Sequence, residues 1–143
     1  MSTSLNQATT IQTTANEGAS TRLALGAARL VAVLHSLLGL SGVALFTVVM
    51  PEEALWIHPV LDTGVIALKL AVCVLLLVGA LWPGQSSARR RRLLAVAVLG
   101  SVAFCLVKLS AYGEQEAIVF FAMDALLLAL LVLARPRTGR GAS

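Results

Sequence analysis

Charge is what this sequence is shortest of. Asp, Glu, Lys and Arg make up 13% of its 143 residues, against about 25% in an ordinary soluble domain. Hydrophobic residues make up 58% and the mean hydropathy is +0.88. Most of the chain is consumed by apolar runs, which leaves no room for a soluble catalytic domain. Cysteine is nearly absent too. Cys73 and Cys105 lie in apolar runs, form no CxxC and have no histidine at ligand spacing, which argues against a zinc site. Histidine is as scarce, with His35 and His58 alone. No Ser/His/Asp arrangement, phosphate loop or metal motif is present, so no catalytic residue, metal or cofactor is expected. The net charge of +4 does not imply nucleic acid, because no basic fold is left over to carry such binding.

What is present is a set of four apolar segments. They cover about 23–50, 63–82, 93–112 and 117–134, each near the ~20 residues that cross a bilayer as helix. Pro51, Pro83-Gly84 and Pro136 punctuate them. The runs are too long for membrane strands and show no period-two alternation. Connections are short, so neighbouring spans form antiparallel hairpins. The expected fold is all-α: an antiparallel four-helix transmembrane bundle. Residues 1–22 read as a disordered polar cytoplasmic tail, because they are rich in Ser, Thr, Asn and Gln. They lack the apolar core of a cleaved signal peptide, so the first span reads as an uncleaved signal-anchor. Residues 135–143 read as a basic cytoplasmic tail.

Orientation follows from where arginine is missing. Arg22, Arg29, Arg89, Arg90, Arg91, Arg92, Arg135, Arg137 and Arg140 all fall in the first tail and span entry, the second loop or the last tail. The first and third loops carry Glu52, Glu53, Asp62, Glu114 and Glu116 instead. The positive-inside rule then puts both termini and the second loop in the cytoplasm. The run Arg89-Arg90-Arg91-Arg92 is also placed to meet anionic lipid head groups, although a plain topology signal accounts for it. The high Ala, Leu, Val and Arg content suggests a bacterial inner membrane.

Three charges interrupt the apolar spans: Lys69, Lys108 and Asp124. A charge at such a depth is costly unless paired or wetted. At about 1.5 Å per residue, Lys69 and Asp124 both lie roughly 10 Å below the outer surface, with Lys108 a little shallower. One buried cluster on three helices is expected, with Lys69–Asp124 as its pair. Lys108 has a long stem and an escape route upward to Glu114 or Glu116. The same pair supports two readings, an ion pair that fixes packing and register or a proton or substrate site. His35 is placed nearer the cytoplasmic end, with Ser36 beside it, as a polar packing or relay group. Bis-histidine haem ligation within the chain is disfavoured because His58 sits in the first outer loop. A metal held by His58 with Glu52 and Glu53 is outweighed by a solvated loop. Cys73 and Cys105 share helical faces with Lys69 and Lys108; they read as a thiol pair at similar depth or, in preference, as two inert core thiols.

Small residues at Ala28, Ala32, Ser36 and Gly39, continued by Gly42, make a narrow ridge on the first span that is expected to contact another helix. The stretch from Pro51 to Pro59 mixes acidic and apolar residues and is placed to lid the charged layer. The segments His35-Ser36-Leu37-Leu38-Gly39-Leu40-Ser41-Gly42 and Met123-Asp124-Ala125-Leu126-Leu127, with the short hairpins and the Pro/Arg-rich second loop, resemble the small four-span bacterial membrane proteins of the DoxX-like kind over roughly 23–134. That resemblance implies an accessory role in membrane redox complexes. In length and span count the chain is also similar to small multidrug exporters, but it lacks their first-span glutamate. The sequence therefore leaves a structural or accessory membrane subunit in front. A small proton-coupled carrier using Asp124 and Lys69, or a quinone-linked redox subunit, stands as the alternative. Its partners are the lipid bilayer and a homo-oligomer or other membrane subunits.

Overall fold

The computed structural model describes the backbone of residues 2–49 and 59–135 and the side chains of 18–48 and 60–135. Four helices make up almost all of it. Helix α1 runs Ser2–Ala44 and continues as a π-helical turn, Leu45–Val49. Helix α2 is Pro59–Leu81. Helix α3 is Ser87–Val107, and it too passes into a π-helical turn, Lys108–Tyr112. Helix α4 is Ala117–Leu133. By length and composition, Gly18–Val48, Val60–Leu81 and Ser87–Tyr112 are long and apolar enough to cross a membrane. Helix α4 is apolar but has 17 residues, the lower edge of what ~30 Å of hydrocarbon requires.

Where the sequence suggests a disordered tail, the backbone is helical from Ser2. Nothing before Gly18 breaks a helix, since neither proline nor glycine occurs there. Pro51 to His58, including Glu52, Glu53, Trp56 and His58, lies outside the described residues, as does 136–143. The lid and the His58 metal cluster fall there.

Turns are made by the residues that must make them. Gly84 and Gly113 have positive φ, 76° and 66°, which favours glycine. Ser86 caps α3, its hydroxyl accepting the Arg89 amide at 3.3 Å. Gly113 donates its amide to the Lys108 carbonyl and reverses the chain after the π-turn.

Helix α1 packs on α2, α2 on α3, α3 on α4, and α4 returns to α1. The small-residue ridge of α1 is where this contact is closest: Ala28, Ala32, Ser36 and Gly39 are buried. A methyl group built on Gly39 would stand 2.6 Å from Lys69 Cε and 2.8 Å from Cys73 Sγ. Gly79 faces Leu94 and Gly100 faces Val72 in the same way, bringing α2 and α3 together.

Two apolar clusters bracket a polar layer. One contains Ala28, Ala32, Val72, Leu76, Leu94, Val98, Leu127 and Leu131. The other contains Val65, Phe104, Cys105 and Ala117. On α2, α3 and α4 the polar residue lies between the helix's contributions to the two: Lys69, Ser101 and Asp124; on α1, His35 and Ser36 follow its contribution to the first.

The arginines close the other end of the molecule. Arg29 Nε donates to the Ala80 carbonyl at 2.6 Å, Arg90 to those of Gly79 and Trp82 at 3.1 and 3.2 Å, and Arg91 to that of Ala134 at 2.9 Å. These carbonyls belong to the last turns of α2 and α4, which lack helical partners and carry the negative end of the dipole. Arg89 and Arg92 stay exposed. Arg91→Ala is therefore expected to cost about 1 kcal/mol and Arg89→Ala within about 0.5 kcal/mol, as read by denaturant unfolding in micelles.

Candidate functional site

Asp124 does not pair with Lys69, as the sequence suggests it should. Its Oδ1 lies 3.3 Å from His35 Nδ1, with the two residues 2% and 0% exposed. Equal depths counted from helix ends misplace His35, because α1 is the longest helix and its far end overhangs the others. By the helical rise, His35 is roughly 20 Å from the end of the π-turn, whereas Asp124 is roughly 10 Å from the start of α4. The two meet at one level because the helices begin and end at different heights.

Lys69 instead approaches the other face of the imidazole. Its Nζ is 3.4 Å from His35 Nε2, and Ser101 Oγ is 3.3 Å from the same nitrogen. The ammonium also sits over Phe120, 3.6 Å from the ring centroid, and Phe104 is 4.7 Å away. Phe120 in turn packs tilted on the His35 ring at 5.2 Å. Among the described residues Lys69 has no salt bridge. Aromatic faces stabilise a desolvated cation, and here they replace the expected carboxylate.

With Lys69 as an ammonium, which only donates, Nε2 accepts and Nδ1 carries the ring proton on the Asp124 side. The chain then runs Lys69, His35, Asp124, across α2, α1 and α4, with Ser101 of α3 at its centre. The Nδ1–Oδ1 approach is off the line of a hydrogen bond, and both Asp124 oxygens lack a hydrogen-bond partner among the described residues. Nitrogen-15 NMR of His35 is expected to show the Nδ1–H form, with Nε2 resonating as an acceptor that shifts in Lys69→Met; an Nε2–H form contradicts the assignment.

Above this layer, at the end away from the arginines, is a cavity of about 320 Å³. Lys69 lies in its wall with Gly39, Val65, Ile66, Phe104 and Phe120. At the rim Lys108 Nζ donates to Glu114 Oε1 at 2.6 Å, and the Tyr112 hydroxyl donates to Asp62. Lys108 thus belongs to the rim and not to the buried cluster. Both π-turns contribute to the lining, through Phe46, Lys108 and Tyr112; such turns are frequent at functional sites.

No family model, curated protein or solved structure matches this chain.

The remaining sequence candidates have structural partners. Ser36 donates to the Cys73 carbonyl at 3.0 Å. Cys73 and Cys105 are buried free thiols, not a disulfide. Among the described residues no group of three His, Cys, Asp or Glu is placed to hold a metal. Sequence reasoning missed Phe104 and Phe120 and read Ser101 only as a small packing residue of the third span. The signal for Ser101 was available: it precedes Cys105 by four residues and Lys108 by seven, on the same helical face.

An imidazole between a donor and a carboxylate can take a proton at one nitrogen and release one from the other. This arrangement therefore sets a proton-exchanging group between Lys69 of the cavity wall and Asp124.

Proposed function

We propose that this chain is a small integral protein of the cell inner membrane, an antiparallel four-helix bundle with both termini cytoplasmic. In this reading it binds a small ligand in its cavity and couples that binding to a proton, as a proton-coupled carrier does. The gathering of arginines at one end supports the orientation. The order of the apolar clusters along α2, α3 and α4, which alternates from one helix to the next, supports the antiparallel arrangement.

The observation that carries the functional reading is the state of Asp124. A purely architectural charge is expected to have its oxygens hydrogen-bonded, because a half-satisfied buried network costs more than an apolar one. Asp124 is 2% exposed, its oxygens make no well-aligned hydrogen bond and have the Ser101 hydroxyl within reach, and it stands at the end of a line that begins in a cavity wall.

An accessory structural role is the second reading, favoured by the polar layer's reach across all four helices. The two separate by experiment. Asp124→Asn keeps an acceptor opposite Nδ1–H. It is expected to assemble as a monodisperse species with a stability loss of at most about 2 kcal/mol, while substrate-dependent proton uptake in proteoliposomes disappears. An architectural role would instead leave proton movement absent in the wild type and concentrate the whole effect in stability.

A further inference from the structure

We infer that the cavity takes an amphipathic monoanion, its carboxylate on Lys69 and its apolar body along Phe104 and Phe120, and that each anion bound brings one proton onto the His35–Asp124 pair. This deepens the ligand-binding reading above and rests on it.

Three observations lead there. First, Lys69 lines the cavity and has no salt bridge among the described residues. An ammonium has three donors, and His35 Nε2 takes one of them. The best partner for the others in a dry wall is a carboxylate. Second, the surrounding wall is apolar, with Val65, Ile66, Phe104 and Phe120, and about 320 Å³ is at the small end of ligand pockets. A head group alone would leave this wall unused. Third, two of the three acids at the mouth are engaged: Asp62 accepts from Tyr112 and Glu114 is paired with Lys108, while Glu116 also lines the mouth. An entering anion passes these carboxylates to reach Lys69, the cation in the cavity wall that has no salt bridge among the described residues.

The proton follows from charge balance. The layer holds one ammonium, Lys69, and one carboxylate, Asp124, with the imidazole between them. Around it stand Ser36 on α1, Cys73 on α2, and Ser101 and Cys105 on α3. Lys69 and Asp124 are within electrostatic reach of each other, and the thiols of Cys73 and Cys105 are within reach of Lys69. A second carboxylate on Lys69 leaves one negative charge uncompensated in a low-dielectric interior, which is costly. A proton drawn from the aqueous phase and bound as N–H or O–H on His35 or Asp124 removes that cost. No other bond forms or breaks.

The test uses the full chain in phosphatidylcholine nanodiscs with 2-naphthoate as fluorescent probe and 2-naphthamide as its neutral counterpart. Naphthoate is expected to bind in preference to the amide. Lys69→Gln is expected to weaken naphthoate by at least about tenfold, the loss of one charge-assisted contact, and to leave the amide unchanged. In weakly buffered solution, wild type is expected to take up about one proton per naphthoate bound. Asp124→Asn should still bind but take up none. Gly42→Leu fills the cavity where nothing lies within 4 Å of a built Cβ, so it should fold and bind neither probe. That variant and the wild-type comparison carry the test if Lys69→Gln fails to fold. Equal binding of acid and amide overturns the anion class while leaving a ligand-binding cavity. Undiminished proton uptake in Asp124→Asn overturns the coupling. If neither probe binds wild type, the anion inference and the cavity reading fall together.

Discussion

His35→Ala is expected to destabilise the protein by about 3–5 kcal/mol, the cost of leaving buried charges without the group that pairs them. The imidazole is fully buried and stands between Asp124 at 3.3 Å and Lys69 at 3.4 Å. Truncating it strips both charges of their nearest polar neighbour and opens a void under Phe120. Four helices lose one shared contact, so the effect should appear as a loss of cooperative unfolding and not as local fraying. Denaturant titration in micelles, followed by helical circular dichroism, measures it. Lys69→Met should cost less, because an apolar chain of similar length still packs on Phe104 and Phe120. A His35→Ala loss under about 1 kcal/mol, the range of ordinary surface changes, contradicts the hub role.

Gly39→Leu is expected to be the second severe change, at roughly 3 kcal/mol or more. Even a methyl at this position would meet Lys69 Cε at 2.6 Å and Cys73 Sγ at 2.8 Å. The lysine stem can swing, but swinging it withdraws the ammonium from His35 and from the phenyl faces. The thiol is fully buried, so turning it displaces packed neighbours. Gly39→Ala should therefore be intermediate, near 1–2 kcal/mol. Gly42 lies one turn further along the same helix, and a Cβ there meets nothing within 4 Å, so Gly42→Ala should stay within about 0.5 kcal/mol. Thermal unfolding of the three variants in one detergent provides the comparison. Equal effects at Gly39 and Gly42 would show that α1 does not approach Lys69 as described.

Much of this architecture was written in the pattern of apolar runs. Helices α2, α3 and α4 fall where hydrophobic length demands them, and Pro83 and Gly84 break the chain after α2; the helix that begins at Ser2 runs through a polar stretch that the apolar pattern does not mark. The small-residue ridge on α1 was legible as well, since Ala28, Ala32, Ser36 and Gly39 repeat at helical spacing. That Lys69 and Asp124 are buried followed from the charges themselves. The partner of each did not. Pairing by depth treats every helix as starting at a common plane, and α1 overhangs the others. Pairing by charge also favours lysine for aspartate and passes over a neutral histidine, which needs no counter-ion yet can face both. The aromatic faces that hold the ammonium leave no mark in the sequence, because Phe104 and Phe120 read as ordinary apolar residues. The arginine run reads as a topology signal, yet Arg90 and Arg91 cap the ends of α2 and α4, a role set by three-dimensional proximity and invisible to spacing.

His35, not Lys69, is the partner of Asp124. A double-mutant cycle tests it most directly, with unfolding free energies of wild type, His35→Ala, Asp124→Ala and the double variant, beside the same cycle for Lys69 and Asp124. A coupling of at least about 1.5 kcal/mol is expected between His35 and Asp124, larger than that between Lys69 and Asp124. Additive His35 and Asp124 effects, within about 0.5 kcal/mol, together with strong Lys69–Asp124 coupling, would contradict it.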